Sequence, residues 1–177
     1  MNTKSVRNQQ WCKSRRLVIV LLLIFAIATT FGCGNPDIDL VGYGSQTVKL
    51  IGLVNKNDVA KDITISIQEL KEMDCVTVKT SSTSDKIGEV TATGPLLATV
   101  AEKYGTSMEG FKKIIITAQD GYKIVLSQPF INESKLILAF GINGKPLGDD
   151  EAPLRLIIPE SDSAYWIRMI KSIEFIN

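Results

Sequence analysis

Few side chains in this sequence can do chemistry, and the missing ones say as much as those present. The 177 residues contain no histidine. A Ser-His-Asp triad, a Cys-His pair and an imidazole-bound zinc or haem are therefore excluded. The three cysteines are Cys12, Cys33 and Cys75. Cys12 lies in a basic N-terminal stretch and Cys33 at the end of an apolar one. Cys75 is left without an intramolecular partner, so no disulfide framework is expected. Beside Val76 and Val78 it reads as a small buried hydrophobe rather than a reactive thiol.

Cys33 has a chemistry of its own. Met1 to Arg16 carries Lys4, Arg7, Lys13, Arg15 and Arg16 and no acid, and Leu17 to Ala28 is an unbroken apolar run. Thr29-Thr30-Phe31-Gly32 then leads to Cys33. A basic region, a short apolar region and a small residue before a cysteine resemble a bacterial lipoprotein signal, which would be cleaved to leave Cys33 lipidated at the new N-terminus. The stretch Leu17 to Gly32 is shorter than the ~20 residues a spanning helix needs. Positive charges before it place the rest of the chain outside the cytoplasm. Residues 1–33 are thus expected to be a signal peptide, with the mature protein on the extracytoplasmic face of the cell membrane. Ser14-Arg15-Arg16-Leu17 also resembles a loose twin-arginine export motif, while the strongly apolar run favours the general secretory route.

Residues 1–33 hold five of the 20 basic residues and none of the 19 acids, leaving 15 against 19, a net of −4. Nucleic-acid binding, which wants a basic face, is disfavoured. Residues 34–46, with Pro36 and three glycines, read as a tether. The remainder, 47–177, suffices for one core.

The elements that must position any site follow from pattern. Thr47 to Leu53 and Ile63 to Ile65 are expected strands. Ser66-Ile67-Gln68-Glu69 is a capping box opening a short helix to Met73. Val76 to Thr80 is β-branched and extended, with Glu89 to Ala92 its expected partner. Pro95 suits the first turn of a helix running to Tyr104. Lys113 to Ala118 and Tyr122 to Leu126 flank Asp120-Gly121, a hairpin signal. Leu136 to Ile142 is an expected strand closed by Asn143-Gly144. Leu154 to Ile158 is an expected buried strand, Tyr165 to Ile170 a helical turn, and Ser172 to Phe175 a last strand. The expected class is α+β, a mixed sheet with two or three short helices.

The order of these motifs resembles the oxidoreductase molybdopterin-binding domain family, the sulfite-oxidase-like fold. The pieces are Ile65 to Lys71, Thr93-Gly94-Pro95-Leu96-Leu97, Asp120-Gly121-Tyr122, Leu138-Ala139-Phe140 and Asn143-Gly144-Lys145-Pro146-Leu147. The closing pair, Ala152 to Pro159 and Trp166 to Phe175, is the most specific. The resemblance implies a pterin-bound molybdenum held by one cysteine thiolate, placed after the strand that here is Val76 to Thr80. This chain has Ser81-Ser82-Thr83-Ser84 there. Cys75 lies at the other end of that strand, roughly 20 Å away.

Two main function classes follow from the resemblance. In the first, the fold keeps its pocket without the metal, and Ser81, Ser82, Thr83, Asp120, Tyr122 and Arg155 line a site for a small polar or anionic ligand. In the second, the chain is a molybdopterin-dependent oxidoreductase with an atypical ligand set. A structural or interaction lipoprotein, with Tyr165 and Trp166 in the core, is a third. In that case the serines are solvated, Asp120 only shapes its turn, and Arg155 pairs with an acid such as Glu174.

Overall fold

Alternation of apolar and polar residues decides which strand faces turn inward. In a computed structural model, which describes residues 37–54, 60–84 and 87–177, the largest sheet has five strands. They are β1 (Thr47–Val54), β2 (Ala60–Ser66), β5 (Lys113–Ala118), β6 (Lys123–Ser127) and β11 (Ile170–Ile176), in the order β2-β1-β11-β5-β6. Only β1 and β11 run parallel. Ile114, Ile116 and Ala118 of β5 and Ile124 and Leu126 of β6 are buried, while Lys123, Val125 and Ser127 face out. One face of this sheet therefore covers the core.

A second, four-stranded sheet is ordered β3 (Cys75–Thr80), β4 (Val90–Pro95), β8 (Gly141–Ile142) and β9 (Lys145–Pro146). Between the two lies a ladder of β7 (Ile137–Ala139) with β10 (Arg155–Ile157), every residue of which is buried. Helix α1 (Ile67–Lys71) turns Ile67 and Leu70 into the core, and α2 (Leu97–Lys103) contributes Leu97, Val100 and Ala101. The expected capping box is complete: the Ser66 hydroxyl accepts from Glu69 N at 3.2 Å, and the Glu69 carboxylate accepts from Ser66 N at 2.8 Å. Those hydrogen bonds hold the Glu69 carboxyl below its ordinary pKa.

Three expectations are corrected. Leu136 to Ile142 is two strands in different sheets. The chain changes partner at Phe140, whose N–H donates to Thr93 O at 3.1 Å. Pro95 ends β4 opposite Cys75 instead of opening a helix. Helix α2 starts two residues later, because Leu136 O takes the Leu97 N–H at 2.8 Å in place of a side-chain cap. Trp166 to Ile170 is not helical, since Leu156 N and Ile170 N are committed to Ile167 O and Leu154 O beside β10. The turn comes earlier, over Ser163–Tyr165, capped by the Asp162 carboxylate. A further helix, α3 (Gln128–Glu133), follows β6 with Pro129 in its first turn, where a missing N–H costs nothing.

The Asn143-Gly144 turn is as expected, with φ of 53° and 73°, the left-handed pair of a two-residue hairpin. Of the stretch expected as a tether, Ile38 and Leu40 are buried in the core. The expected signal peptide 1–33, with Cys33, lies outside the described residues. Among the described residues no helix is long and apolar enough to cross a membrane.

Among the glycines of the described residues, the closest backbone approach is at Gly94, between β4 and β7. A Cβ on Gly94 would overlap the carbonyl of Leu138, and both strands are hydrogen-bonded on their other sides. Gly94→Ala is expected to destabilise the protein by about 2 kcal/mol or more, the cost of overpacking at rigid backbone. Urea unfolding would show it as a lower midpoint at unchanged slope; an unmoved midpoint would mean that the strands can part without cost.

Candidate functional site

The end of β3 leads straight into the hydroxyl run, and the run lies along a loop that follows β10. Thr80 is buried and its Oγ1 accepts from Glu160 N at 3.3 Å. Ser161 O takes both Thr83 N at 3.0 Å and Ser82 Oγ at 3.2 Å. Ser82 and Ser84 hydroxyls lie 3.0 Å apart, and Ser84 Oγ meets Ser163 Oγ at 2.6 Å. From within the core, Trp166 fixes the same loop: its indole N–H donates to Ile158 O at 2.9 Å and approaches Ser161 Oγ at 3.1 Å. These hydroxyls are partnered by the protein itself.

Arg155 sits beneath that loop. Its guanidinium lies over the Trp166 ring, 5.8 Å from the centroid, and forms an ion pair with Glu151, one helical-turn spacing away in sequence and not with Glu174. Burial pulls the Arg155 pKa down while Glu151 pushes it back up, and a guanidinium remains charged at neutral pH. Its Nε is buried with no partner among the described residues. Arg168, the other arginine of this domain, pairs with Asp150 at 3.2 Å. The Tyr122 hydroxyl is 3.5 Å from Ala164 O, so it too leans on the loop. Asp120 accepts from Tyr122 N at 2.9 Å and shapes its turn.

Of the six expected site residues, Ser82, Thr83, Tyr122 and Arg155 thus converge on one loop as its supports. Thr83, Asp120 and Tyr122 are exposed on the surface, while Ser81 lines a cleft. It borders a polar cleft of about 510 Å³ with Thr80, Ser134, Lys135, Pro159 and Glu160, a size typical of small-molecule sites. Lys79 and Glu89 at its edge pair with each other at 2.8 Å. Lys135 is exposed and has no hydrogen bond or ion pair among the described residues. Sequence reasoning missed Ser134 and Lys135 because α3, which delivers them, went unread. Pro129 after Ser127 was the available signal.

A pterin-bound molybdenum needs a thiolate, and the donors present do not match that need. Cys75 Sγ faces Leu70 O and Lys71 O at 3.7 and 3.8 Å, at the far end of β3 from the serine run. Burial pushes its pKa up to about 11, with Asp74 adding to the shift. It is therefore overwhelmingly a protonated thiol at neutral pH. Serine hydroxyls ionise far less readily, and those of Ser82 and Ser84 are already engaged. Among the described residues no group of three or more Cys, Asp or Glu side chains is gathered for a metal ion.

Comparison with known proteins gives the fold its relatives. No curated protein sequence matches the chain. Among solved structures, the sulfane dehydrogenase SoxCD from Paracoccus pantotrophus is similar, with a TM-score of 0.63 at 15% identity. The match covers 76% of this chain but 39% of that one, so this chain spans well under half the length of its structural relative. The sequence model of the oxidoreductase molybdopterin binding domain matches residues 52–177. With most of its length in that match and the sulfite-oxidase-like fold around it, the chain belongs to the oxidoreductase molybdopterin-binding domain family.

Proposed function

We propose that this family member is a metal-free, lipid-anchored extracytoplasmic domain that binds a small polar or anionic ligand. The observation that carries the reading is the hydroxyl run Ser81–Ser84. It stands where the resemblance implies a metal-binding cysteine, three of its residues tie down the Ser161–Ser163 loop, and Ser81 is left facing a polar cleft that Lys135 and Glu160 also line. The Ser81 hydroxyl and the Lys135 ammonium offer a small polar or anionic ligand hydrogen bonds, with Glu160 the acid that an anion would have to avoid. Cys33 supplies the anchor, and the charged N-terminus sets the side of the membrane. Family membership favours a second reading, a molybdopterin-dependent oxidoreductase with an atypical ligand set.

Metal and pterin analysis separates the two. The full-length protein purified from cells competent in molybdopterin synthesis is expected to carry neither molybdenum nor pterin fluorescence; a stoichiometric content of both would sink the metal-free reading. For the ligand, succinate, sulfate and phosphate are tested by thermal unfolding. At about ten times its dissociation constant an anion stabilises by ~1.4 kcal/mol, a rise in Tm of roughly 4 °C. That rise should vanish in a Ser81→Ala, Lys135→Ala double variant, and a rise that survives both changes puts the ligand elsewhere. For the anchor, cells fed radiolabelled palmitate should label the wild-type chain and not Cys33→Ser. Equal labelling of both would show that Cys33 is not the lipid attachment point.

A further inference from the structure

Residues 34–46 have the composition of a flexible tether, yet most of them are fastened to the fold. Ile38 is 3% exposed and Leu40 8%. The Ile38 side chain sits against Gly141, where a Cβ would collide with its Cδ1. Lys71 Nζ donates to Ile38 O at 2.6 Å. Leu40 O accepts from Tyr43 N and Gly44 N, and Gly44 O accepts from Gln68 N. The Tyr43 hydroxyl donates to Asp149 at 2.6 Å. The fastened chain thus begins within a residue of Asp37, which follows Cys33 by four residues. Four residues, even fully extended, reach about 14 Å at most. A domain of this size is roughly 40 Å across. A leash that short lets the body rock but not turn over.

We propose that the end of the domain bearing the turn 41–45 and the hairpin tip 143–145 lies against phospholipid head groups, held there by this leash. The inference rests on Cys33 being the lipid attachment point, as read above, and adds the orientation. A lipid-bearing Cys33 sits at head-group level, which keeps Asp37 within about 14 Å of it. Around Asp37 the exposed groups are Val41, 79% exposed at its turn, and Asn143, Gly144 and Lys145 of the hairpin on which Ile38 packs. Charge does not select this end, because Asp37, Asp39 and Asp149 outnumber Lys71 and Lys145. Covalent reach selects it. Salt, which screens exposed charges, should therefore leave the orientation unchanged.

The test uses the full-length chain purified from cells fed radiolabelled palmitate. It is reconstituted in phosphatidylethanolamine–phosphatidylglycerol vesicles in which a fraction of the head groups carry a diazirine. After irradiation, adducts are located by peptide mass spectrometry. Residues 37–45 and 143–145 should carry a severalfold excess over Lys123 and Val125, which face out from β6, three strands from β1. A flexible Gly/Ser segment of about 20 residues inserted after Gly34, with a reach of roughly 25 Å, should erase that excess. Adducts spread evenly over a palmitate-labelled chain, an excess that survives the insertion, or one lost at high salt would each overturn the orientation and leave the anchor standing. A chain that takes up no palmitate removes the anchor, and the orientation with it.

Discussion

The approach of β4 to β7 at Gly94 is the contact on which the rest of the site depends. Side chains usually hold neighbouring strands of different sheets apart. Here the absent Cβ lets the backbone of β4 rest against the Leu138 carbonyl, and the consequences run in both directions along each strand. From β4 the pairing passes to β3 and so to Thr80 and Ser81. From β7 it passes back through the Leu96–Ile137 bridge and the Leu97 N–H bond to Leu136 O, which set Ser134 and Lys135. Those two pairs of residues line the same polar cleft. The two chain segments that deliver them meet at the Gly94 contact.

The same cleft is also lined by the start of the loop from Pro159 to Trp166. A loop of this length tends to wander, because each ordered residue costs roughly 1–2 kcal/mol of backbone entropy. The chain offsets this with many short polar ties: Thr80, Ser82, Thr83 and Ser84 on one side, and the Trp166 indole beneath. Individually such bonds contribute about 1 kcal/mol, so no single hydroxyl of the run carries the loop. Arg155 has a parallel role. Its charge is neutralised by Glu151 and its plane covers Trp166, which makes it part of the support under the loop rather than an anion receptor.

The parts legible in the sequence were those coded locally. The capping box at Ser66 and Glu69, the Asn143-Gly144 turn and the strands on either side of Asp120-Gly121 each need only a few adjacent residues, and all are present. What was illegible depends on distant partners. An apolar run such as Leu136 to Ile142 looks the same whether it stays in one sheet or crosses between two, and only Thr93 and the β10 ladder decide. Pro95 is compatible with a helix start and with a strand end, and the Leu136 carbonyl settles the matter from 41 residues downstream. The candidate site divides the same way. Ser81 was found from its place after β3, whereas Lys135 depends on a helix whose sole local signal was Pro129.

The serine run is tied into the fold by bonds that involve no metal. Ser82, Thr83 and Ser84 bond to the neighbouring loop at Ser161 and Ser163. A fold by itself does not set an activity. The core, the Gly94 contact and the bonds of the Trp166 indole do not involve the run. At this end of the domain Ser81 and Lys135 face the polar cleft together with Glu160 and the Lys79–Glu89 ion pair, so a function built there has to work with both signs of charge.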